Sequence, residues 1–400
     1  MTPQEFSNAY AVERENTSSQ KWDDMRARFG VDDLLPMWVA DMEFKTPECV
    51  REALTRRVEH GVFGYTIVPD SFYEALGTWE RTHHNFDVKK EWVRLTPGVV
   101  SALYWAVSMY TKPEDAVIIM TPVYYPFSNA IRDCGRKLVT TDLAYDSKTG
   151  VFTVDFEDFE RKIVENDVRM FILCSPHNPA SRVWTSEELE HMLEICERHD
   201  VMVVSDEIHH DLTFGGHEHT PTVTVAGGKY AHRIVTATAA SKTFNLATCL
   251  TSTIIIPDEQ LRRTWDEFTN IYNHVEVNVF GITAVEAALR GGEAWYEDLK
   301  GLIEENYRAL VDGLAEFPEI VVTPLEGTYL PFVNLRAYVP NELMHEFVQE
   351  RCKIAVDYGE WFGEGWEGFI RLNLGTTPEN VAETVRRIKV NLRELIAERA

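Results

Sequence analysis

The chain has 400 residues and a mass of 45.9 kDa, a length that predicts two or three domains of about 150 residues each. Its hydrophobic content of 44% and charged content of 26% are ordinary for a globular protein and exclude disorder along the whole chain. The 39 Lys and Arg residues against 64 Asp and Glu residues give a net charge of -25, which repels phosphate backbones and anionic lipids. We therefore expect neither a nucleic acid nor a membrane as a partner.

Six cysteines are scattered without a CxxC pair, a pattern that predicts reduced and mostly buried thiols. The segment from Met1 to Asp24 is polar and contains no apolar stretch of the kind found in secretory signals. No apolar run reaches the roughly 20 residues of a transmembrane helix. These features predict a cytoplasmic protein.

After an apolar patch at 34–40, the chain alternates helical patterns with short apolar runs from about Arg51 onwards. One helical pattern, 186–199, places its apolar side chains on a single stripe. Continuous apolar strands that alternate with helices predict an α/β fold, in which a mainly parallel sheet is covered by helices on both faces. The predicted strands lie at 93–95, 116–120, 170–174, 201–204, 234–236 and 253–256.

The pattern changes after about Leu289, where long charged helical patterns flank short strands. The predicted helices are 293–317, 342–352 and 378–399, and the strands are 320–322, 329–333 and 369–374. This combination predicts a smaller α+β domain. Because the N-terminal segment is too short to fold alone, we expect a large domain at 50–288 and a small domain built from 1–49 and 289–400.

Chemically useful residues follow the predicted strands of the large domain. In open parallel sheets, ligands bind beyond the carboxyl ends of the strands. Five successive strands bring to that edge a helix N-terminus and four kinds of side chain, namely Gly98 at the helix start, Tyr124 with Tyr125, Asn178, Asp206 and Lys242. We expect these residues to lie close together.

These residues suit the parts of one cofactor. Free N–H groups after Gly98 suit a phosphate. Asp206 can keep a ring nitrogen protonated, and Asn178 can donate to a phenolate. Lys242 can form an imine with an aldehyde, and Tyr124 can cover a ring. A phosphate, a pyridine, a phenolate and an aldehyde together describe pyridoxal phosphate.

Four blocks resemble the signatures of fold-type I, class I/II pyridoxal-phosphate enzymes, in the right order and over nearly the whole chain: Ser175-Pro176-His177-Asn178-Pro179, Ser205-Asp206-Glu207, Ser241-Lys242 and Arg371-Leu372-Asn373. Within that superfamily, two features are similar to the cystathionine β-lyase subgroup, the C–S lyases of the MalY/PatB type. They are the Trp38-Val39-Ala40-Asp41-Met42 block and His209, where aminotransferases of this class usually carry Tyr. The resemblance implies a fold-type I architecture with a seven-stranded type of sheet.

The resemblance also implies roles for individual residues. Lys242 would carry the cofactor covalently and move the α-proton of the substrate. Asp206 would pair with the pyridine nitrogen and Asn178 with the ring hydroxyl. The other implied cofactor contacts are stacking by Tyr124, a ring contact by His209, and phosphate contacts by Val99, Val100 and Ser241.

Substrate and subunit contacts follow from the same resemblance. Arg371 would grip the substrate α-carboxylate through a bidentate fork, with Ala40 and Asp41 also at the substrate. Tyr65 would reach the phosphate of the neighbouring subunit, which implies a homodimer with shared active sites. Leu250 stands where many aminotransferases place an Arg, so phosphate binding would depend more on backbone N–H groups and on Tyr65.

The residues suggest two other kinds of site, a metal site and a cysteine nucleophile. The histidines near Asp206 and Asp211 show none of the helical spacings of metal sites, so no metal is expected there. Cys174 and His177 could be a nucleophile and its base, but their three-residue separation across a proline favours a buried thiol at a strand end.

The resemblance implies an enzyme that cleaves cystathionine, cysteine or a similar β-thio amino acid to pyruvate, ammonia and a thiol. A class I/II aminotransferase would use the same residues, since the two reactions differ in where the proton is returned. A third hypothesis is a regulatory role in which the chain binds another protein.

Overall fold

The computed structural model describes residues 1–272 and 277–399. The helices of these residues are, in chain order, α1 (Pro3–Tyr10), α2 (Gln20–Asp23), α3 (Met25–Phe29), α4 (Glu48–His60), α5 (Asp70–His84), α6 (Val99–Tyr110), α7 (Pro126–Asp133), α8 (Phe156–Asn166), α9 (Ser186–Arg198), α10 (Val225–Gly228), α11 (Ala240–Thr243), α12 (Glu259–Tyr272), α13 (Val279–Gly291), α14 (Glu293–Leu314) and α15 (Pro378–Arg399). Among them, no helix is both long and apolar enough to cross a membrane.

The strands are short, and most of the longer ones lie in the first two thirds of the chain. In chain order they are β1 (Leu35–Pro36), β2 (Val93–Thr96), β3 (Ala116–Thr121), β4 (Lys137–Asp142), β5 (Ala144–Tyr145), β6 (Phe152–Thr153), β7 (Val168–Cys174), β8 (Met202–Asp206), β9 (Ile234–Thr238), β10 (Ser252–Ile255), β11 (Val321–Val322), β12 (Phe332–Asn334), β13 (Ile354–Ala355), β14 (Asp357–Tyr358) and β15 (Phe369–Arg371).

Seven strands form the main sheet, in the order β2-β10-β9-β8-β7-β3-β4. Strand β10 runs antiparallel to both of its neighbours, and the other pairs are parallel. The predicted α/β fold with a mainly parallel sheet is confirmed. The sequence pattern missed β4, because this edge strand buries alternate residues only and lacks the continuous apolar run of its neighbours.

Helices cover both faces of this sheet because successive side chains of a strand point to opposite sides. Ile119 packs on one face in a cluster with Leu103 and Phe127, and Ile118 packs on the other in a cluster with Phe159 and Leu189. Helix α9 follows the predicted stripe and begins with a capping box between Thr185 and Glu188. The packed helices leave the carboxyl ends of the strands open to ligands.

The chain ends form smaller sheets. Strands β11, β12, β15 and β14 make an antiparallel four-stranded sheet. Strand β1 pairs in parallel with β13, so the N-terminal segment packs against the C-terminal part of the chain. The domain boundaries at 50–288 stay a prediction.

The helix predicted at 342–352 is present, but its turns are not those of a regular α-helix. The structure has a 3₁₀ turn at Asn341–Leu343 followed by a π-helical turn at Glu346–Arg351. The wider turn places the adjacent apolar residues Phe347 and Val348 in the core together. Additional 3₁₀ turns lie at Lys90–Trp92, Thr222–Thr224, Ala231–Arg233, Ala247–Cys249 and Gly359–Trp361.

A close approach between α13 and the loop before β10 gives a test of this packing. A Cβ on Gly281 would overlap the Thr251 hydroxyl and the Cys249 carbonyl. Gly281→Ala should therefore lower the free energy of unfolding by about 1–3 kcal/mol, as overpacking does. The matched control is Gly301→Ala in α14, where a Cβ meets nothing within 4 Å and better helix propensity should add about 0.4–1 kcal/mol. Urea unfolding measures both, and equal effects of the two changes would contradict the packing.

Candidate active site

A cavity of about 270 Å³ lies at the carboxyl edge of the main sheet. Its walls come from the segments that follow β2, β3, β7, β8 and β9, together with the N-terminal segment. Nine of the predicted site residues line it, namely Ala40, Val99, Val100, Tyr124, Asn178, Asp206, His209, Ser241 and Lys242. Asp41, Tyr65 and Arg371 are not among its lining residues.

Lys242 is the amine of this cavity. It lies in α11, directly after β9, and its Nζ donates to the Ala40 carbonyl at 2.8 Å. Burial lowers the pKa of Lys242 to about 8, and the Arg371 charge acts in the same direction, while Asp41 and Asp206 oppose it. A pKa of about 8 leaves about a tenth of the amine neutral at pH 7, against about one part in 3,000 at the ordinary lysine value. Lys242 is therefore poised to act as a nucleophile or a base.

Asp206 ends β8 and is 5% exposed. Its Oδ1 accepts the Ile208 N–H at 3.0 Å. Burial raises the pKa of Asp206 to about 7, because the carboxylate has lost most of its water and Glu207 adds a like charge. A cationic N–H placed against this carboxylate would restore its charged form.

Asn178 and His209 present polar atoms to the same cavity. The Asn178 Oδ1 accepts from Arg371 at 3.1 Å, and its backbone carbonyl accepts the Tyr124 N–H at 3.2 Å. The Asn178 amide group is therefore oriented so that its NH₂ is available as a donor. Burial holds the pKa of His209 well below its usual value, and its Nδ1 has no partner among the described residues. His209 is thus a neutral imidazole.

The opposite end of the cavity is formed by a helix N-terminus. Helix α6 begins after Gly98 without a capping side chain, and Val99, Val100 and Ser101 line the cavity beside it. Uncapped N–H groups and the positive end of the helix dipole favour an anion such as phosphate. The hydroxyl-bearing residues Ser101, Ser241, Thr251 and Ser252 also line the cavity.

Thr251 and Ser252 were missed by the sequence reasoning. Both lie in or beside the strand that runs antiparallel to its neighbours, so the amino end of β10 meets the carboxyl ends of the others. They lie at the start of their strand, whereas the predicted site residues of the main sheet lie at or after the ends of theirs. The signal that could have found them is the pair of hydroxyl residues directly before an apolar strand.

Arg371 is buried beside the cavity in a dense set of partners. Its Nη1 donates to Asn178, and its Nη2 donates to the Trp38 carbonyl at 3.1 Å and to the Asp357 carboxylate. Its Nε has no partner among the described residues. Asp357 was not predicted, because only the antiparallel pairing of β14 with β15 places it opposite Arg371. The predicted carboxylate-binding role of Arg371 stays a prediction.

The two other predicted substrate residues lie on one turn. The Ala40 carbonyl accepts from Lys242 and, at 2.9 Å, from the hydroxyl of Tyr329, which the sequence reasoning missed. The Asp41 carboxylate is held by Arg14 through bonds of 2.8 and 2.7 Å. Asp41 therefore supports the turn in this structure, and its contact with a substrate stays a prediction.

Tyr65 lies away from this cavity and is 96% exposed.

Cys174 lines the cavity, but its Sγ accepts the Asn178 N–H at 3.4 Å and burial raises the pKa of the thiol well above its usual value. Burial lowers the pKa of His177 to about 3. No hydrogen bond joins Cys174 to His177 among the described residues, so this pair does not form an activated nucleophile there.

The donor set fits pyridoxal phosphate. One end offers the uncapped start of α6 for a phosphate, and Lys242 offers a largely desolvated amine for an aldehyde. Asp206 offers a buried carboxyl group for a ring nitrogen, and Asn178 offers a free amide donor for a ring hydroxyl. Each of these groups lines the same cavity.

Comparisons with known proteins agree with this chemistry. Residues 33–388 match the family model described as aminotransferase class I and II. Cystathionine β-lyase PatB of Bacillus subtilis (strain 168) is 39% identical over 382 residues, which cover 95% of this chain and 98% of that protein. The pyridoxal-phosphate-containing structure of cystalysin from Treponema denticola has a TM-score of 0.91 at 34% identity and covers 96% and 98% of the two chains.

The pyridoxal-phosphate-bound C–S lyase from Staphylococcus hominis is also similar, with a TM-score of 0.89 and 30% identity over 95% of this chain and 96% of that chain. The expected cofactor is therefore confirmed as pyridoxal phosphate. The individual contacts expected of each residue stay predictions.

The lowered pKa of Lys242 predicts a pH dependence for capture of an aldehyde by the cofactor-free protein. Only the neutral amine reacts, so the initial rate should rise about tenfold per pH unit below pH 8 and level off above it. Borohydride trapping of added pyridoxal phosphate, followed by peptide mapping, measures the rate at Lys242. A rate that keeps rising tenfold per unit to pH 10 would contradict the lowered pKa.

Proposed function

Because the chain belongs to the class I and II aminotransferase family, we propose that it is a pyridoxal-phosphate-dependent C–S β-lyase. Its substrates would be cystathionine, cysteine and similar β-thio amino acids. From cystathionine and water the products would be homocysteine, pyruvate and ammonia. Support comes from the similarity to a cystathionine β-lyase and to C–S lyases over nearly the whole chain.

The observation that carries the proposal is the pairing of Lys242 and Asp206 in one cavity. The pKa of the buried amine falls to about 8, and that of the buried carboxyl group rises to about 7. An amine that is partly neutral near pH 7 suits removal of a proton from Cα. A buried carboxyl group that becomes charged when a cationic N–H lies against it suits a protonated ring nitrogen.

Bound in this cavity, pyridoxal phosphate supplies an electron sink for the electrons released at Cα of an amino acid. Lys242 would be the base that removes the α-proton, and the departing thiolate would take up a proton. Asp206 would hold the proton on the ring nitrogen, and Asn178 would donate its amide N–H to the ring oxygen. The start of α6, with Ser241, would hold the phosphate.

Arg371 is proposed to receive the substrate carboxylate. Its guanidinium donates to the Asn178 side chain, which lines the cavity, and to the Trp38 carbonyl, so it is held beside the cavity. Asp357 neutralises part of its charge in the absence of substrate. A carboxylate that replaced this contact would gain a charge-assisted bidentate pair.

A homodimer with shared active sites is also part of the proposal. Tyr65 and Ile67 are 96% and 80% exposed, an uncommon exposure for large apolar side chains in one short segment. Contact with a second copy would cover them and bring Tyr65 to the partner's phosphate. Sedimentation equilibrium tests the proposed homodimer, and a single-chain mass would contradict it.

A cytoplasmic location, expected from the cysteine usage, completes the proposal.

The direct test is formation of pyruvate from cystathionine without any keto acid. The wild-type protein loaded with pyridoxal phosphate should release pyruvate and thiol in equal amounts. Lys242→Ala should lower turnover by at least about 10²–10⁴-fold, the usual contribution of a positioned general base. The matched control is Lys229→Ala, which changes an amine at the end of α10, outside the residues that line the cavity.

Two results would contradict the proposal. Full activity of Lys242→Ala would exclude the assigned base. Amino-group transfer to an added keto acid, without pyruvate from cystathionine alone, would instead identify an aminotransferase that uses the same residues.

Arg371→Lys tests the carboxylate site separately. A guanidinium fixes both the position and the plane of a carboxylate, and an ammonium fixes neither. We expect kcat/KM for cystathionine to fall about tenfold to a hundredfold, corresponding to about 1.5–3 kcal/mol for a charge-assisted bond. The affinity for pyridoxal phosphate, measured by titration of the cofactor-free protein, should change much less. An unchanged kcat/KM would place the carboxylate elsewhere.

A further inference from the structure

A second cluster of ionisable side chains lies behind the active-site cavity. Glu80 and His84 are four residues apart in α5, so they share one face of that helix. His210 reaches them from the turn after β8. One donor atom from each of the three residues lies within 4.8 Å of the others. Neither the class I and II aminotransferase chemistry nor the cofactor contacts use these residues.

The orientation of His210 makes this cluster unusual. Its Nδ1 lies 2.8 Å from the Glu207 carbonyl and 2.7 Å from the Thr238 hydroxyl. Because a carbonyl only accepts, Nδ1 carries the proton and the lone pair of the neutral ring is on Nε2. That Nε2 is buried, has no hydrogen-bond partner among the described residues, and faces two carboxylates. A lone pair that faces carboxylate oxygens requires a positive species between them.

Distances distinguish a proton from a metal ion in that position. The His210 Nε2 lies 3.4 Å from a carboxylate oxygen of Glu80 and 3.4 Å from one of Asp211. N–H···O hydrogen bonds are shorter than this, at about 2.7–3.2 Å. Two ligands bound tetrahedrally to zinc at about 2.0–2.1 Å are about 3.4 Å apart. The separation of the His210 Nε2 from the Glu80 carboxylate therefore matches one edge of a metal tetrahedron.

We propose that Glu80, His84 and His210 bind a divalent transition-metal ion and that the ion is zinc. Two imidazoles and a carboxylate form a donor set that zinc accepts readily. The fourth position would hold water, because His84 and Asp211 also line an open surface cavity through which an ion and water can enter. This site is separate from the proposed lyase chemistry.

Neighbouring groups complete the site as they do in metal centres. Metal-binding histidines usually donate their other ring nitrogen to a carbonyl or carboxylate, and the Glu207 carbonyl does this for His210. The Asp211 carboxylate lies 2.8 Å from the Nε2 of His84 and accepts from the Nε1 of Trp79 at 2.9 Å, so it orients α5 against the turn. Its negative charge raises the local affinity for a cation.

The charges of the cluster agree with this assignment. The carboxylates of Glu80 and Asp211 are both buried beside His210. One zinc ion would neutralise Glu80 and Asp211 together while both histidines stay neutral, which costs less buried charge than a protonated imidazole between two carboxylates.

The experiment measures zinc bound to the protein loaded with pyridoxal phosphate. The protein is treated with chelator, incubated with zinc sulfate, freed of excess zinc by gel filtration and analysed by inductively coupled plasma mass spectrometry. Titration calorimetry gives the affinity. Wild-type protein should retain one zinc per chain and show a higher Tm with zinc. Glu80→Gln and His210→Ala should each weaken binding by more than the roughly 10–100-fold lost when an outer partner is removed, and zinc should no longer raise their Tm.

The matched control is His217→Ala. His217 is exposed and lines the same surface cavity, but it is not a member of the cluster. The His217→Ala substitution should leave the zinc stoichiometry and the zinc affinity as in the wild type. Glu80→Gln keeps the size of the side chain, so it tests the site even where His210→Ala fails to fold.

Three outcomes would overturn the proposal. Wild-type protein that retains no zinc would mean that a proton occupies the cluster. Equal zinc binding by wild-type, Glu80→Gln and His210→Ala proteins would place the ion elsewhere on the surface. Loss of zinc in His217→Ala alone would assign it to the exposed cavity. None of these results depends on lyase activity, so the proposed function can fail or stand independently.

Discussion

The active site depends on one backbone carbonyl, that of Ala40. It accepts from the amine of Lys242 at 2.8 Å and from the hydroxyl of Tyr329 at 2.9 Å. Two asparagine side chains hold the loop that presents this carbonyl. Asn373 donates to the Asp41 carbonyl at 2.7 Å, and the side chain of Asn245 bonds to the backbone of Met42. The N-terminal segment, helix α11 after the main sheet and the C-terminal part of the chain therefore meet around the amine of Lys242.

The burial of the active site also determines the charges of Lys242 and Asp206. Removing water from Lys242 lowers its pKa to about 8, and removing water from Asp206 raises its pKa to about 7, so each group gives up part of its charge. Buried ions are costly unless they are paired. Pyridoxal phosphate in the proposed orientation would remove much of that cost, because its ring nitrogen would give Asp206 a cationic partner and its aldehyde would consume the free amine. The cavity thus offers groups that complement the charge distribution of the cofactor.

Two adjacent histidines after β8 meet opposite electrostatic environments. His209 faces the cationic side of the active site, where Lys242 and Arg371 reinforce the effect of burial and keep it neutral. His210 faces the carboxylates behind the site and attracts positive charge. Asp211 then joins the two regions, since it also accepts from the hydroxyl of Thr243, the residue after Lys242. An ion bound at His210 would therefore stiffen the support of the active-site helix.

The sequence by itself determined the α/β class, the mainly parallel sheet and the residues at its carboxyl edge. These follow from local information: apolar runs predict strands, and the carboxyl ends of parallel strands meet at one edge, so Asn178, Asp206 and Lys242 had to be neighbours. Tertiary structure alone decided the contacts that join distant segments. The pairing of Arg371 with Asp357 requires the antiparallel register of two short strands, and the approach of His210 to α5 joins residues more than a hundred positions apart. No local periodicity encodes such distances, because they arise only when helices and sheets pack against one another.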